Sequence, residues 1–136
     1  MGEIFTHTLR VRYGECDPQG ILFNANYLAY FDLMVLELWR AAHGPWSDLE
    51  DRGLDAVLAE AQVRFRAPAR FDDLIQLQAR VTRLGTTSMT IAIDVVRDED
   101  LLAEGTLRHV FVDAATWQKT EIPGWVRSAL SPFQAE

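Results

Sequence analysis

The stretch Gly14–Tyr27, GECDPQGILFNANY, sets an acid beside a thiol in a turn-forming segment that runs straight into an apolar one. A carboxylate such as that of Asp17 can attack an electrophilic carbon or draw a proton from water, and Cys16 is a nucleophile only where its thiol ionises. The nearest histidine, His7, is well removed in sequence, and Cys16 reads as a structural thiol. On residue types alone, Asp17 followed by Pro18 reads first as an ordinary turn acid or helix-entry residue. A second group of candidates is Arg64, Arg66 and Arg70, the one dense basic cluster in a chain of net charge −7. Arginines so spaced can hold phosphates or pair with acids on a solvated strand face. His7, His43 and His109 are scattered and show no metal-ligand spacing such as H-E-x-x-H, so no metal site is expected. His7 and His109 fall within strand-like runs and read as structural.

These groups need elements to place them. Residues 5–13 alternate, with Phe5, His7, Leu9, Val11 and Tyr13 on one face, as a half-buried strand does. After the turn chemistry of Gly14–Gly20, the run from about Asn24 to Ala42 has no Gly or Pro and predicts one helix, ended near Gly44-Pro45. It is apolar on nearly every side, so it is expected to be buried, with Asp32 paired to a basic group or backbone donor. It is a poor membrane span, because Asp32, Glu37 and Arg40 would each cost about 2.5 to 3.5 kcal/mol at a bilayer centre. Strand-like runs follow at about 55–67, 73–84, 87–97 and 101–113, alternating as in Ile75, Leu77, Ala79 and Val81 against Gln76, Gln78, Arg80 and Thr82. The connections ARFDD, RLGTT and RDED are short, which predicts that consecutive strands pair antiparallel. Pro123 is placed to open a final helix through about Leu130.

Length and composition bound the function. The 136 residues fit one domain, 1–136, and 49% hydrophobic residues suffice for a core. A net charge of −7 argues against a nucleic-acid or membrane-surface partner, both of which need a basic face. One cysteine permits no internal disulfide, and the first residues carry no charged leader followed by an apolar run, so the chain reads as cytoplasmic.

One strand, a long buried helix and four long antiparallel strands make an α+β layout in which a curved sheet of about five strands wraps a central helix, the order of a hotdog fold. Arg10-Val11, Cys16-Asp17, Gly20-Ile21, Phe23 and Asn26-Tyr27 ahead of that helix resemble the 4-hydroxybenzoyl-CoA thioesterase type of hotdog acyl-CoA thioesterases, which includes the Tol-Pal-associated enzymes. VRFRAPARFDDLIQL and HVFVDAATWQKTEIP resemble the family's second-to-third strand and its last strand and exit.

The resemblance implies thioester hydrolysis without metal or cofactor, in a homo-oligomer, a tetramer built from dimers, with sites at subunit interfaces. It gives Asp17 the role of nucleophile or general base, with free N–H groups near Asn24 to Asn26 receiving the charge that develops on the carbonyl oxygen. Gly20 allows the close turn between them. Asn24 stands where many members of the family carry histidine or an aromatic residue, which leaves its backbone N–H as its contribution. Phe23 and Tyr27, near Asp17, are the acyl-pocket candidates, and Asp32 is a candidate second acid. For the CoA moiety the candidates are Arg64, Arg66, Arg83 and Ser88, with Lys119 as a further cation; the family's third turn, often basic, here offers Arg83 and the hydroxyls of RLGTTS. Competing functions are a hotdog dehydratase or hydratase, which usually needs a histidine paired with a carboxylate, and a non-catalytic acyl-CoA-binding module.

Overall fold

The computed structural model describes residues 2–135. Strand β1 (Phe5–Arg10) is followed by helix α1 (Asn26–Ala42), a short helix α2 (Trp46–Asp51), strands β2 (Leu54–Phe65), β3 (Leu74–Leu84), β4 (Ser88–Arg97) and β5 (Asp100–Asp113), and helix α3 (Gly124–Leu130). The strands form one five-stranded antiparallel sheet in the order β1-β3-β4-β5-β2. Alternation is strict where both sequence and packing demand it: Ile75, Leu77, Ala79 and Val81 on β3, and Met89, Ile91, Ile93 and Val95 on β4, are buried against α1 and α3. The α+β class and the helix-on-curved-sheet order expected of a hotdog fold are both present. No helix among the described residues is long and apolar enough to cross a membrane.

Four expectations fail, each for a local reason. Strand β1 stops at Arg10 because the Arg12 N–H donates to the Glu15 carboxylate (2.8 Å) and opens a single 3-10 turn, Tyr13–Glu15. Tyr13 is therefore 80% exposed rather than on the buried face, and rests edge-on against Phe71. The connection 66–73 is not a hairpin. It crosses from one edge of the sheet to the other side of β5 and β4, and β2 pairs with β5 instead of β3. Its backbone groups find partners in the loop after β1, through Leu22 N–H to Ala69 (2.8 Å), Phe71 N–H to Gly20 (3.1 Å) and Asp72 N–H to Val11 (2.9 Å). Arg97 pins the same crossover, donating to the Asp73 carboxylate at 2.7 Å. Burial opposes ionisation of Asp73, but the Arg70 amide and the Arg97 guanidinium outweigh it and hold its pKa below the usual value.

The third correction concerns α1. Tyr27, Tyr30, Phe31, Met34, Val35, Leu38 and Trp39, at helical spacing, are buried against the sheet. The opposite face is open in the single chain, with Leu28, Leu33 and Leu36 at 41, 37 and 43% exposure. Asp32 lies on this open side and has no ion pair or hydrogen bond among the described residues, contrary to the buried, paired carboxylate expected. The fourth is α2, which Pro45 caps where the sequence suggested only the end of α1.

Helix α1 approaches the sheet closely at Gly105 of β5, where a Cβ would stand 2.6 Å from Cζ of the fully buried Phe31. The missing side chain is what lets the Phe31 ring lie on the strand. Gly105→Ala is expected to overpack this contact and destabilise the protein by about 1–3 kcal/mol. Adding Phe31→Leu should restore part of the loss, as measured by urea unfolding in a double-mutant cycle. A midpoint unchanged by Gly105→Ala contradicts the packing described.

Candidate active site

The loop between β1 and α1 closes on itself at Asp17. The Asp17 N–H donates to Ile21 O and the Gly20 N–H to Asp17 O, both at 2.9 Å, while Cys16 and Leu22 pair as an isolated antiparallel bridge. Gly20 has a φ of +79°, which a side chain would strain. Within this turn Oδ1 of Asp17 accepts the Gln19 N–H at 2.8 Å and, more weakly, the Ile21 N–H at 3.5 Å. Oδ2 has no partner among the described residues. One carboxylate oxygen is thus anchored by the backbone and the other is left for chemistry.

Helix α1 starts opposite. Its N-cap is Ala25, which has no side-chain oxygen to cap the helix. The Asn26 N–H is bonded to Phe23 O at 2.9 Å, so of the three positions expected to offer free amides, only Asn24 and Ala25 do so among the described residues. Both lie at the positive end of the helix dipole.

Glu15 joins loop to helix. Its carbonyl accepts from Asn26 Nδ2 (2.7 Å) and the Phe23 N–H (3.0 Å), and its Oε1 accepts the Tyr30 hydroxyl (2.7 Å) along with the Arg12 N–H. Burial and the hydrogen bond to Glu15 push the Tyr30 hydroxyl far above the usual phenol range, which keeps it a donor. Burial, then the charges of Asp17, Glu15 and Asp73, also push the Cys16 thiol up, in keeping with a structural thiol. The Glu15–Tyr30 pair was not legible as a site feature: a glutamate and a tyrosine on separate elements carry no spacing signal.

Asp17 and Asn24 line one cleft of about 430 Å³, together with Tyr27 and Arg66 from among the sequence candidates. Ile21, Leu22, Phe65 and Pro68 supply apolar wall, and Tyr27 meets Phe65 edge to face at 5.1 Å. Phe65, Ala67 and Pro68 come to the cleft through the crossover, which is why the sequence, read as a hairpin, did not point to them. Gly20, Phe23 and Asn26 shape the loop and helix start without lining the cleft; Phe23 is 46% exposed and the Asn26 amide is turned to Glu15. Arg66 is bonded to Glu104 at 2.7 Å at the cleft's rim, and Arg64 lies beside Glu104 and Thr106 on the outward row of β2. Arg83 and Ser88 lie at the β3–β4 turn, about 33 Å along β3 from the cleft end of that strand. One chain does not bring them to Asp17. Among the described residues no three His, Cys, Asp or Glu side chains cluster as metal ligands would.

The sequence pattern of the thioesterase-like superfamily matches residues 11–130. The chain belongs to this superfamily. The acyl-CoA thioester hydrolase YbgC of Escherichia coli is 28% identical over 121 residues, covering 88% of this chain and 90% of its own. A protein of Aquifex aeolicus of solved structure superposes with a TM-score of 0.88 at 28% identity, covering 93% of this chain and 98% of its own. A gentisyl-coenzyme A thioesterase superposes with a TM-score of 0.84 at 25% identity, covering 93% and 99%. Like these superfamily members, the chain is built throughout as a hotdog.

Removing the Tyr30 hydroxyl leaves a charged acceptor on Glu15 short of one donor. Tyr30→Phe is therefore expected to lower stability by about 1–2 kcal/mol. It should also lower kcat several-fold with little change in KM, because the loop and helix lose alignment rather than substrate contacts. Steady-state kinetics beside a urea unfolding curve test both effects, and an unchanged kcat would mean that the Glu15–Tyr30 bond does not hold the site.

Proposed function

We propose that the protein hydrolyses acyl-CoA thioesters to a free carboxylic acid and CoA, with Asp17 and the start of α1 acting on one carbonyl. The observation that carries this is the placement of Asp17, with one carboxylate oxygen unbonded, and Asn24, with an open backbone amide, on the same cleft. The names of the YbgC and gentisyl-coenzyme A relatives support it. The carbonyl oxygen sits toward the Asn24 and Ala25 amides, which stabilise the negative charge developing there. Asp17 attacks the carbonyl carbon, or draws a proton from the water that attacks it. By either route one water is consumed, the C–S bond breaks, the hydroxyl of water ends on the acyl carbon and its proton on the departing sulfur. Tyr27 flanks the acyl group, and Gly20 keeps the turn tight enough for the two halves of the site to meet.

The working unit on this reading is a cytoplasmic homo-oligomer, a dimer paired into a tetramer. Strand β2 is a free edge, exposed on both faces over residues 58–62, and α1 leaves Leu36 open beside Leu58 of this strand. An uncovered edge and an adjacent apolar face favour a second copy as partner. The same assembly accounts for the CoA candidates: Arg64 stands on the outward row of β2 and Arg66 just past its end at the cleft, whereas Arg83 and Ser88 reach a CoA only when they come from another subunit. These arginines supply the local cations that a polyanion needs in a chain of net charge −7.

The test has two readouts on the same preparation. Thiol release from a panel of acyl-CoAs should proceed with many turnovers, and sedimentation equilibrium at micromolar concentration should return a dimer or tetramer mass. Stoichiometric binding without thiol release would make the protein an acyl-CoA-binding module instead, and a monomer mass would remove the shared site.

A further inference from the structure

A groove of about 520 Å³ runs between helix α1 and β1, the end strand of the sheet opposite β2. It shares no lining residue with the Asp17 cleft. Arg10 and Arg12 bring two positive charges to it, and His7 adds an imidazole, which offers a donor in either tautomer. Arg10 is shared with Asp72, donating to its carbonyl at 2.7 Å, whereas the Arg12 guanidinium has no acid partner among the described residues. The one acid on the wall is Glu15, whose Oε1 already accepts the Arg12 N–H and the Tyr30 hydroxyl. In a chain of net charge −7 this groove is locally cationic.

Leu9, Ala29 and Leu33 give the same groove an apolar side. A small inorganic anion would leave these three uncovered, and a plain hydrocarbon would leave Arg12 unpaired. The Glu15 carboxylate on the wall opposes a headgroup of more than one negative charge. What fits is a single negative charge on an apolar body. Glu15 also links the groove to the Asp17 cleft, because its carboxylate is held by the Arg12 N–H while its carbonyl holds the Phe23 N–H and the Asn26 amide where α1 starts.

We propose that this groove is a second ligand site, for an amphipathic monocarboxylate, and that its occupancy slows the chemistry at Asp17. The carboxylate accepts from the Arg12 guanidinium with His7 beside it, and the hydrocarbon covers Leu9, Ala29 and Leu33. A negative charge held there repels Glu15, whose hydrogen bonds set the loop against the helix, so the aligned form of the cleft loses population. Binding stands on the groove alone. Its role rests on the thioesterase reading, since a free carboxylic acid is what that reaction releases, and the groove then makes the product an inhibitor.

The experiment pairs calorimetric titration with octanoate, octan-1-ol and acetate with steady-state kinetics on the best acyl-CoA substrate, with and without octanoate, in the wild-type protein, Arg12→Ala and Leu33→Glu. Octanoate should bind about tenfold or more tightly than either control, each of which lacks one half of the ligand, and should lower kcat with little change in KM. Arg12→Ala keeps the backbone N–H that bonds Glu15 and should weaken octanoate binding about tenfold; Leu33→Glu sets an acid on the apolar side and should weaken it as well. Both positions are exposed, and unfolding transitions check that both variants fold. Octanoate binding that neither substitution weakens, or that raises KM alone, would put the acid in the Asp17 cleft and overturn the proposal, as would the absence of octanoate binding. Binding that needs Arg12 yet leaves kcat unchanged would overturn the inhibition. With no thiol release from any acyl-CoA the thioesterase reading falls, and the titrations still decide the site.

Discussion

Glu15 fixes the distance between an acid on a loop and the start of a helix. Four hydrogen bonds converge on it: the Phe23 N–H and the Asn26 amide on its carbonyl, the Arg12 N–H and the Tyr30 hydroxyl on its carboxylate. A hydrogen bond to a charged group contributes about 1.5–3 kcal/mol. Without these bonds the turn at Asp17 and the amides of Asn24 and Ala25 would be two separately stable pieces with no fixed relation. Catalysis by positioned dipoles depends on such fixed relations, because donors held in place need not reorganise as charge develops. The crossover strengthens the arrangement from the other side, since Ala69 and Arg70 are bonded to the same loop and Arg97 holds the crossover to β4.

The sheet order has a second consequence. Placing β2 at the far edge, beside β5, brings Phe65 and the following residues next to Asp17 and leaves β2 without a neighbour on one side. Leu36, on the open face of α1, lies beside Leu58 of this edge strand. A chain that folds this way keeps its site next to an uncovered edge strand, which is the physical ground for proposing that a second copy shares the site.

Much of this was legible in the sequence. Strict alternation over residues 74–84 and 88–97 marks two central strands because each has one face on the core, and the apolar run after Asn24 marks α1 because no breaker interrupts it. The stretch from Cys16 to Tyr27 was legible as a site only through its resemblance to a family, since Asp-Pro before a helix is common turn chemistry. What was not legible depends on contacts between residues far apart. Local pattern makes ARFDD a hairpin, and only pairing with the Asp17 loop makes it a crossover. Apolar residues all round α1 imply full burial, but a single chain supplies only one sheet face to cover it. Glu15 and Tyr30 lie on different elements, and their hydrogen bond leaves no periodic trace.

The central claim is that Asp17 performs the chemistry rather than merely closing a turn. Asp17→Asn keeps the size of the side chain and an oxygen for the Gln19 N–H while removing the charge and the basicity. The measurement is kcat for the best acyl-CoA substrate, in a variant whose unfolding transition matches that of the wild type. A fall of about 10²-fold or more, with KM little changed, is the result predicted for loss of a nucleophile or general base. A kcat close to the wild-type value in the folded variant would make Asp17 a turn residue and contradict the mechanism.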